Sequence, residues 1–221
     1  EIDIAEAMSI SSPPGRMHTV RYILGQPLES APGSAYAYAN IGYLVLGLVI
    51  EEVSGRDYLS YVFEKVLDPL GVSPADLVQG RTFPSARNPR EPWYDYSGMG
   101  PNVFDPQGSA VRLPSGGWDH EARIAQGGLV ATTRAILEFL DVYQVAGDGI
   151  GTRRSGSEGS GWRWNHGGSL PGTNTLARQR GDGVNYVVLF NSRPASGTSF
   201  SSLIRTEIDA LLDAGTILWP Q

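Results

Sequence analysis

Cysteine is absent from the 221 residues. That excludes disulfides, iron–sulfur clusters, thiolate zinc sites and a cysteine nucleophile. Because a cysteine-free chain suits either redox compartment, localisation stays open. Lysine is nearly absent too: of 17 basic residues only Lys65 is lysine, the rest being arginine. A net charge of -6 leaves no basic footprint for nucleic acid or anionic lipid. The longest apolar run, residues 41–50, falls short of the ~20 residues a bilayer span needs. His18, His120 and His166 show no His-x-x-x-His spacing, and Asp182 sits between two glycines without an EF-hand pattern. No metal and no other cofactor is expected. The chain opens at Glu1 with neither an initiator methionine nor a signal peptide, so an upstream segment is expected to have been removed or left out.

What is present reads as a globular chain, 41% hydrophobic and 18% charged, long enough for one sizeable domain or two small ones. The 28 glycines and 15 prolines form about a fifth of the residues, against a usual ~12%, which predicts long loops and many turns. Residues 1–35 read as irregular, punctuated by Ser-Ser-Pro-Pro-Gly at 11–15 and Ala-Pro-Gly at 31–33. Residues 41–53 read as a helix buried on most sides, stopped by Ser54-Gly55. A second helix is expected from Asp57, with Leu59, Val62, Phe63, Val66 and Leu67 at helical spacing and Pro69 ending it. A third starts at Thr132 or Thr133. Between them, residues 79–118 form a long loop rich in proline, glycine and aromatics, expected to pin itself to the surface or line a pocket. The only biased tract is residues 155–161. Residues 173–180 and 184–191 read as two strands joined by Gly181-Asp182-Gly183, and residues 199–214 as an amphipathic helix covering them. Helices first and a covered hairpin last predict an α+β fold. The expected division is 1–150, mostly helical and loop-rich, and 151–221, the hairpin with its helix.

Two clusters carry chemistry. One is Tyr38-Ala39-Asn40, opening the first helix within PGSAYAYANIGYLVLGLVIEEVSG. The other is His166-Gly167-Gly168-Ser169, within WNHGGSLPGTNT at the start of the strand pair. A tyrosine of pKa ~10 is a poor base unless a neighbouring cation favours its phenolate, so Tyr38 needs a lysine or histidine partner. Glycines after His166 let a substrate lie flat on the strand, where N–H groups can stabilise an oxyanion. The bland alternatives are that Tyr38 caps a helix and that His-Gly-Gly is a turn. Asp119-His120-Glu121 reads as a solvated loop, and Glu51-Glu52 as a solvent-facing pair at a helix end.

Together with Gly127-Gly128-Leu129-Val130-Ala131-Thr132, these clusters resemble the serine β-lactamase and penicillin-binding-protein superfamily, nearest its class C, D,D-peptidase and esterase branch. The resemblance runs over residues 27–213 and implies a β-lactamase/transpeptidase-like fold with an acyl-enzyme mechanism. In that family a serine of Ser-x-x-Lys attacks, the tyrosine of Tyr-x-Asn shuttles protons, and an edge-strand Lys-Thr-Gly or His-x-Gly borders the site. By matching position, Tyr38 and His166 take catalytic roles. Asn40 orients substrate, Gly167 and Gly168 bound the oxyanion hole, and the Ser169 amide donates into it.

The departures are as informative. Lys65 has Val62 three positions before it, so no Ser-x-x-Lys exists in this chain, and no Gly-x-Ser-x-Gly elbow replaces it. The family's first strands and nucleophile helix are therefore expected upstream of Glu1. The link from Gly161-Trp162 to His166 is short, which predicts a trimmed sheet edge. His-Gly-Gly lacks a hydroxyl at its middle position, favouring ester or amide substrates over β-lactams. Such a small-molecule ester, amide or β-lactam is the expected ligand of a portion of a serine hydrolase. The chain alone is expected to be inactive, completed by a missing N-terminal segment, another chain or a swapped copy. The alternative is a catalytically inactive binding module.

Overall fold

A computed structural model describes residues 1–144, 152–153, 163–194 and 196–217. The biased tract at 155–161 and the Gly161-Trp162 link lie outside the described residues. The chain forms two compact units, Glu1–Glu91 with Ser97–Thr132, and Pro92–Tyr96 with Thr133–Gln221.

In the first unit the N-terminal residues are not irregular. They form α1 (Ile2–Met8) and α2 (Gly15–Leu24), with Ala5 and Val20 buried. The proline–glycine punctuation at 13–15 separates two helices instead of abolishing them, because Pro14 and Gly15 sit at the start of α2, where no helical N–H is lost. Next comes α3 (Asn40–Ser54), entered from an extended Ala39 and stopped by Gly55 in the left-handed region at φ 65°. α4 (Tyr58–Val62) is capped by the Asp57 side chain, which accepts from the Ser60 amide. It widens into a π turn over Phe63–Leu67 and closes as a 3-10 turn over Asp68–Leu70. Short antiparallel pairs complete the unit: β1 (Leu77–Gln79) with β4 (Leu129–Ala131), and β2 (Met99–Gly100) with β3 (Val111–Arg112).

Helix α3 departs from its expected burial. Only Leu44 and Gly47 are buried. A Cβ on Gly47 would stand 2.4 Å from that of Ala125, so the bare backbone is what lets the Glu121–Gln126 turn close on the helix. The opposite side is uncovered: Leu46 is 57% and Val53 82% exposed, with Tyr43 and Val49 on the same stripe. Apolar composition reads as burial whatever surrounds it, and within this unit one side of α3 has no partner. Glu51 also departs from expectation. Its Oε1 accepts from Arg16 and from the Tyr58 amide, at 2.8 and 3.0 Å, joining α2, α3 and the start of α4.

Asp119-His120-Glu121 is likewise a built cluster and not a solvated loop. Glu121 Oε2 accepts from the amide and hydroxyl of buried Thr82. Trp118 Nε1 donates to His120 Nδ1 at 2.9 Å, while His120 Nε2 stands 3.2 Å from the Pro114 carbonyl. Only a neutral ring with its proton on Nε2 satisfies both contacts, and protonation would set a second N–H against that of Trp118. Burial lowers the His120 pKa below 6.5, opposed by the Pro114 carbonyl and by Glu121 and Glu91, with Arg123 adding to the lowering. The folded state thus binds fewer protons than the unfolded one, and stability is lost as pH falls below the unfolded value. Urea titrations at decreasing pH between neutrality and mild acid should show a falling midpoint. His120→Gln, which can still donate to Pro114 and accept from Trp118, should flatten that slope; an unchanged slope would refute the assignment. Asp119 works in the opposite direction at lower pH, its carboxyl raised by burial, with Glu1 and Glu121 adding.

The second unit is built on α5 (Thr133–Val142), the small pair β5 (Tyr143–Gln144) and β6 (Thr152–Arg153), and a three-stranded antiparallel sheet. Its strands are β7 (Arg163–Leu170), β8 (Thr173–Arg180) and β9 (Asn185–Phe190), in that order. The β8–β9 turn uses Gly181-Asp182-Gly183 as expected, with Gly183 at φ 88°. α6 (Phe200–Asp213) closes the unit, its start capped by Ser199 accepting from the Ser202 amide. α5, which the sequence groups with residues 1–150, packs here on β9, while α6 packs on β8.

Successive β8 side chains alternate between the two helices. Gln179, fully buried, donates to the Leu140 carbonyl near the end of α5 and to the Tyr143 carbonyl at the start of β5. Arg178 and Arg180, both buried, point the other way to Asp209 on α6. Arg180 also holds Asp213 and Asp182. The seam between β8 and α6 is therefore ionic as well as apolar.

Candidate active site

Tyr38 and Asn40 flank the extended residue that starts α3, which turns both side chains to one side. The Tyr38 hydroxyl donates to Asn40 Oδ1 at 2.9 Å, and its ring meets that of Tyr43 with centroids 6.0 Å apart. Tyr38 is half exposed and Asn40 exposed. Partial burial raises the Tyr38 pKa above 10.0, and the neighbouring Tyr43 and Tyr36 add to the rise. In this chain the phenol is thus a neutral hydrogen-bond donor at physiological pH, not a base.

His166, Gly167, Gly168 and Ser169 follow one another along β7, opposite Ala177, Leu176, Thr175 and Asn174 of β8. β7 is an edge strand among the described residues, and His166 and Ser169 are exposed. The two glycines differ. A Cβ on Gly168 would stand 2.5 Å from Thr175 Oγ1, so this glycine answers to the neighbouring strand. A Cβ on Gly167 would meet only the Thr175 carbonyl, at 3.4 Å, so its bareness leaves backbone open to solvent.

Asn174 went unnoticed in the sequence. Its amide donates to the Gly168 carbonyl and its Oδ1 accepts from the Ser201 amide, tying the motif strand to the first turn of α6. A polar residue within an alternating strand gives no sign that it faces inward. The structure therefore brings Tyr38 to Asn40, and His166 to Gly167, Gly168 and Ser169, and assigns the two sets to different units. Among the described residues no three His, Asp or Glu side chains are grouped to hold a metal ion, and no helix is long and apolar enough to cross a membrane.

The Beta-lactamase family model matches residues 11–206. The chain belongs to the beta-lactamase family of serine hydrolases. Its α+β architecture is the β-lactamase/transpeptidase-like fold. The D-amino acid amidase of Ochrobactrum anthropi SV3 superposes with a TM-score of 0.60 at 21% identity, over 90% of this chain and 63% of the amidase. A penicillin binding protein from Bacillus halodurans gives 0.56 at 19%, over 89% of this chain and 62% of its own. At such identities the likeness carries the fold alone. Among curated relatives, Protein flp of Staphylococcus aureus (strain COL) is 33% identical over 78 residues, 35% of this chain and 16% of its own length. A putative D-alanyl-D-alanine carboxypeptidase of Escherichia coli K12 is 38% identical over 55 residues, 25% of this chain and 13% of its own. The chain spans under two thirds of the length of each of these proteins.

Proposed function

We propose that this beta-lactamase-family chain is the portion of a serine hydrolase that supplies the proton shuttle and the oxyanion strand for acyl transfer at an ester or amide carbonyl. Tyr38 moves the proton of the leaving group, Asn40 orients it and the substrate, and His166 borders the site. Gly167 and Gly168 admit the acyl group along β7, where the Ser169 amide donates to the oxyanion. The nucleophile comes from a Ser-x-x-Lys segment outside these 221 residues. The observation that carries this reading is the Tyr38–Asn40 hydrogen bond at the exposed start of α3. The uncovered stripe of Tyr43, Leu46, Val49 and Val53 beside it supports a further polypeptide segment seated there, since large apolar patches mark interaction surfaces. A curated relative named as a putative D-alanyl-D-alanine carboxypeptidase favours amides bearing D-residues.

The test is acylation. This chain, incubated with a chromogenic cephalosporin, a p-nitrophenyl ester or a D-amino acid amide, should give no saturable turnover and no mass shift. A covalent adduct on the chain alone would sink the proposal. Sequencing the coding region before Glu1 separates the alternative: a Ser-x-x-Lys there supports the hydrolase, and its absence favours an inactive binding module.

A further inference from the structure

The first unit contains a cleft of about 500 Å³ that shares no lining residue with the Tyr38–Asn40 pair. That volume lies in the ~300–1,000 Å³ range of small-molecule sites. Leu59 comes to it from α4 and Phe63 from the π turn, a local widening of the kind that often marks functional positions. Leu77 and Val78 come from β1, and Arg81 and Asn88 from the segment that follows. The lining is divided about evenly between polar and apolar surface, with Ser60, Gln79 and Asn88 beside the apolar side chains, and Arg81 is its one charged group.

Arg81 has donor capacity to spare. Its ion-pair partner among the described residues, Glu121, stands 3.9 Å away on Oε1. The other Glu121 oxygen is already taken by Thr82. Asn88 uses its side-chain oxygen to accept from the Arg90 amide, which leaves its NH₂ group as a second donor. A guanidinium fork and an amide NH₂ in the lining of one partly apolar cleft are the donor types that a carboxylate accepts. A phosphate dianion would call for more cationic charge than one arginine brings.

We propose that this cleft binds a small organic monocarboxylate with an aromatic or branched apolar body. Arg81 and the Asn88 amide hold the carboxylate, while Leu59, Phe63, Leu77 and Val78 take the body. The proposal is independent of the acyl-transfer reading, because it uses none of its residues. The probe is 4-phenylbutyrate, with 4-phenylbutanol as its uncharged counterpart, titrated into the ¹⁵N-labelled full chain. Saturable shifts are expected at the amides of residues 77–81 and 88. Binding should weaken at least about tenfold for the alcohol and for Arg81→Gln. The melting temperature of that variant should not move, since Arg81 is an exposed side chain. Arg205→Gln, on the second unit, should bind like the parent. Equal binding of acid and alcohol, an unaffected Arg81→Gln, shifts confined to other residues, or no saturation at millimolar probe would each overturn the assignment.

Discussion

Arg180→Met is expected to destabilise the second unit by about 1.5–3 kcal/mol, the range for losing hydrogen bonds to charged groups, because two of the carboxylates left behind, Asp182 and Asp213, are nearly half exposed. Arg180 is 3% exposed and bonds Asp182, Asp209 and Asp213. Methionine fills similar volume but takes the Arg180 bonds from all three carboxylates, while Arg178 and Tyr186 still reach Asp209. The deficit should depend on pH in a definite direction. Burial alone would raise the Asp209 pKa, but hydrogen bonds from Arg180, Arg178 and Tyr186 outweigh it and hold the carboxyl below its ordinary 3.8. Asp182 is lowered as well, chiefly by its hydrogen bond from Arg180. A depressed carboxylate contributes stability above its unfolded pKa and loses it as pH falls through the folded one. The gap between parent and variant should therefore be full at neutral pH and shrink below about pH 4. Urea unfolding followed by far-ultraviolet circular dichroism reads both effects. A loss under about 1 kcal/mol, or one that persists in acid, would mean that the seam is held by apolar contacts alone.

That cluster also shows where the sequence stopped being informative. The hairpin was legible because alternation, β-branched residues and Gly-Asp-Gly all act locally; β8 spans the expected residues 173–180. The long helix was legible for the same reason, since capping and periodicity are properties of neighbours in sequence. Burial is not local. Residues 41–53 carry no charge until Glu51, yet much of that helix faces outward. Arg178 and Arg180 have nothing beside them in the strand that marks them as buried, yet they are, because carboxylates from α6, some thirty residues on, complete them. Tyr38 and Asn40 were legible as a pair because they are two residues apart. The roles of Asn174, Gln179 and Glu51 were not, since each bonds elements whose meeting only the tertiary fold decides.

In a protein that joins this chain to a Ser-x-x-Lys segment, Tyr38→Phe should lower kcat by about 10²–10⁴, the range for removing a positioned general acid–base group. KM should move little, because the ring and its contact with Tyr43 remain. Asn40→Ala should behave differently, raising KM as well as lowering kcat, since a residue that orients the ground state contributes to binding. The ionisation of Tyr38 offers an independent readout. Within this chain its surroundings, burial together with Tyr43 and Tyr36, oppose the phenolate. An ammonium group brought beside the hydroxyl would reverse that balance, so the Tyr38 titration should move to lower pH in the joined protein than in this chain alone. Ultraviolet difference titration, with Tyr38→Phe subtracted to isolate the one residue, measures it. A Tyr38 that titrates identically in both proteins, or a Tyr38→Phe enzyme with parental kcat, would remove the tyrosine from the chemistry and leave it as part of the helix start.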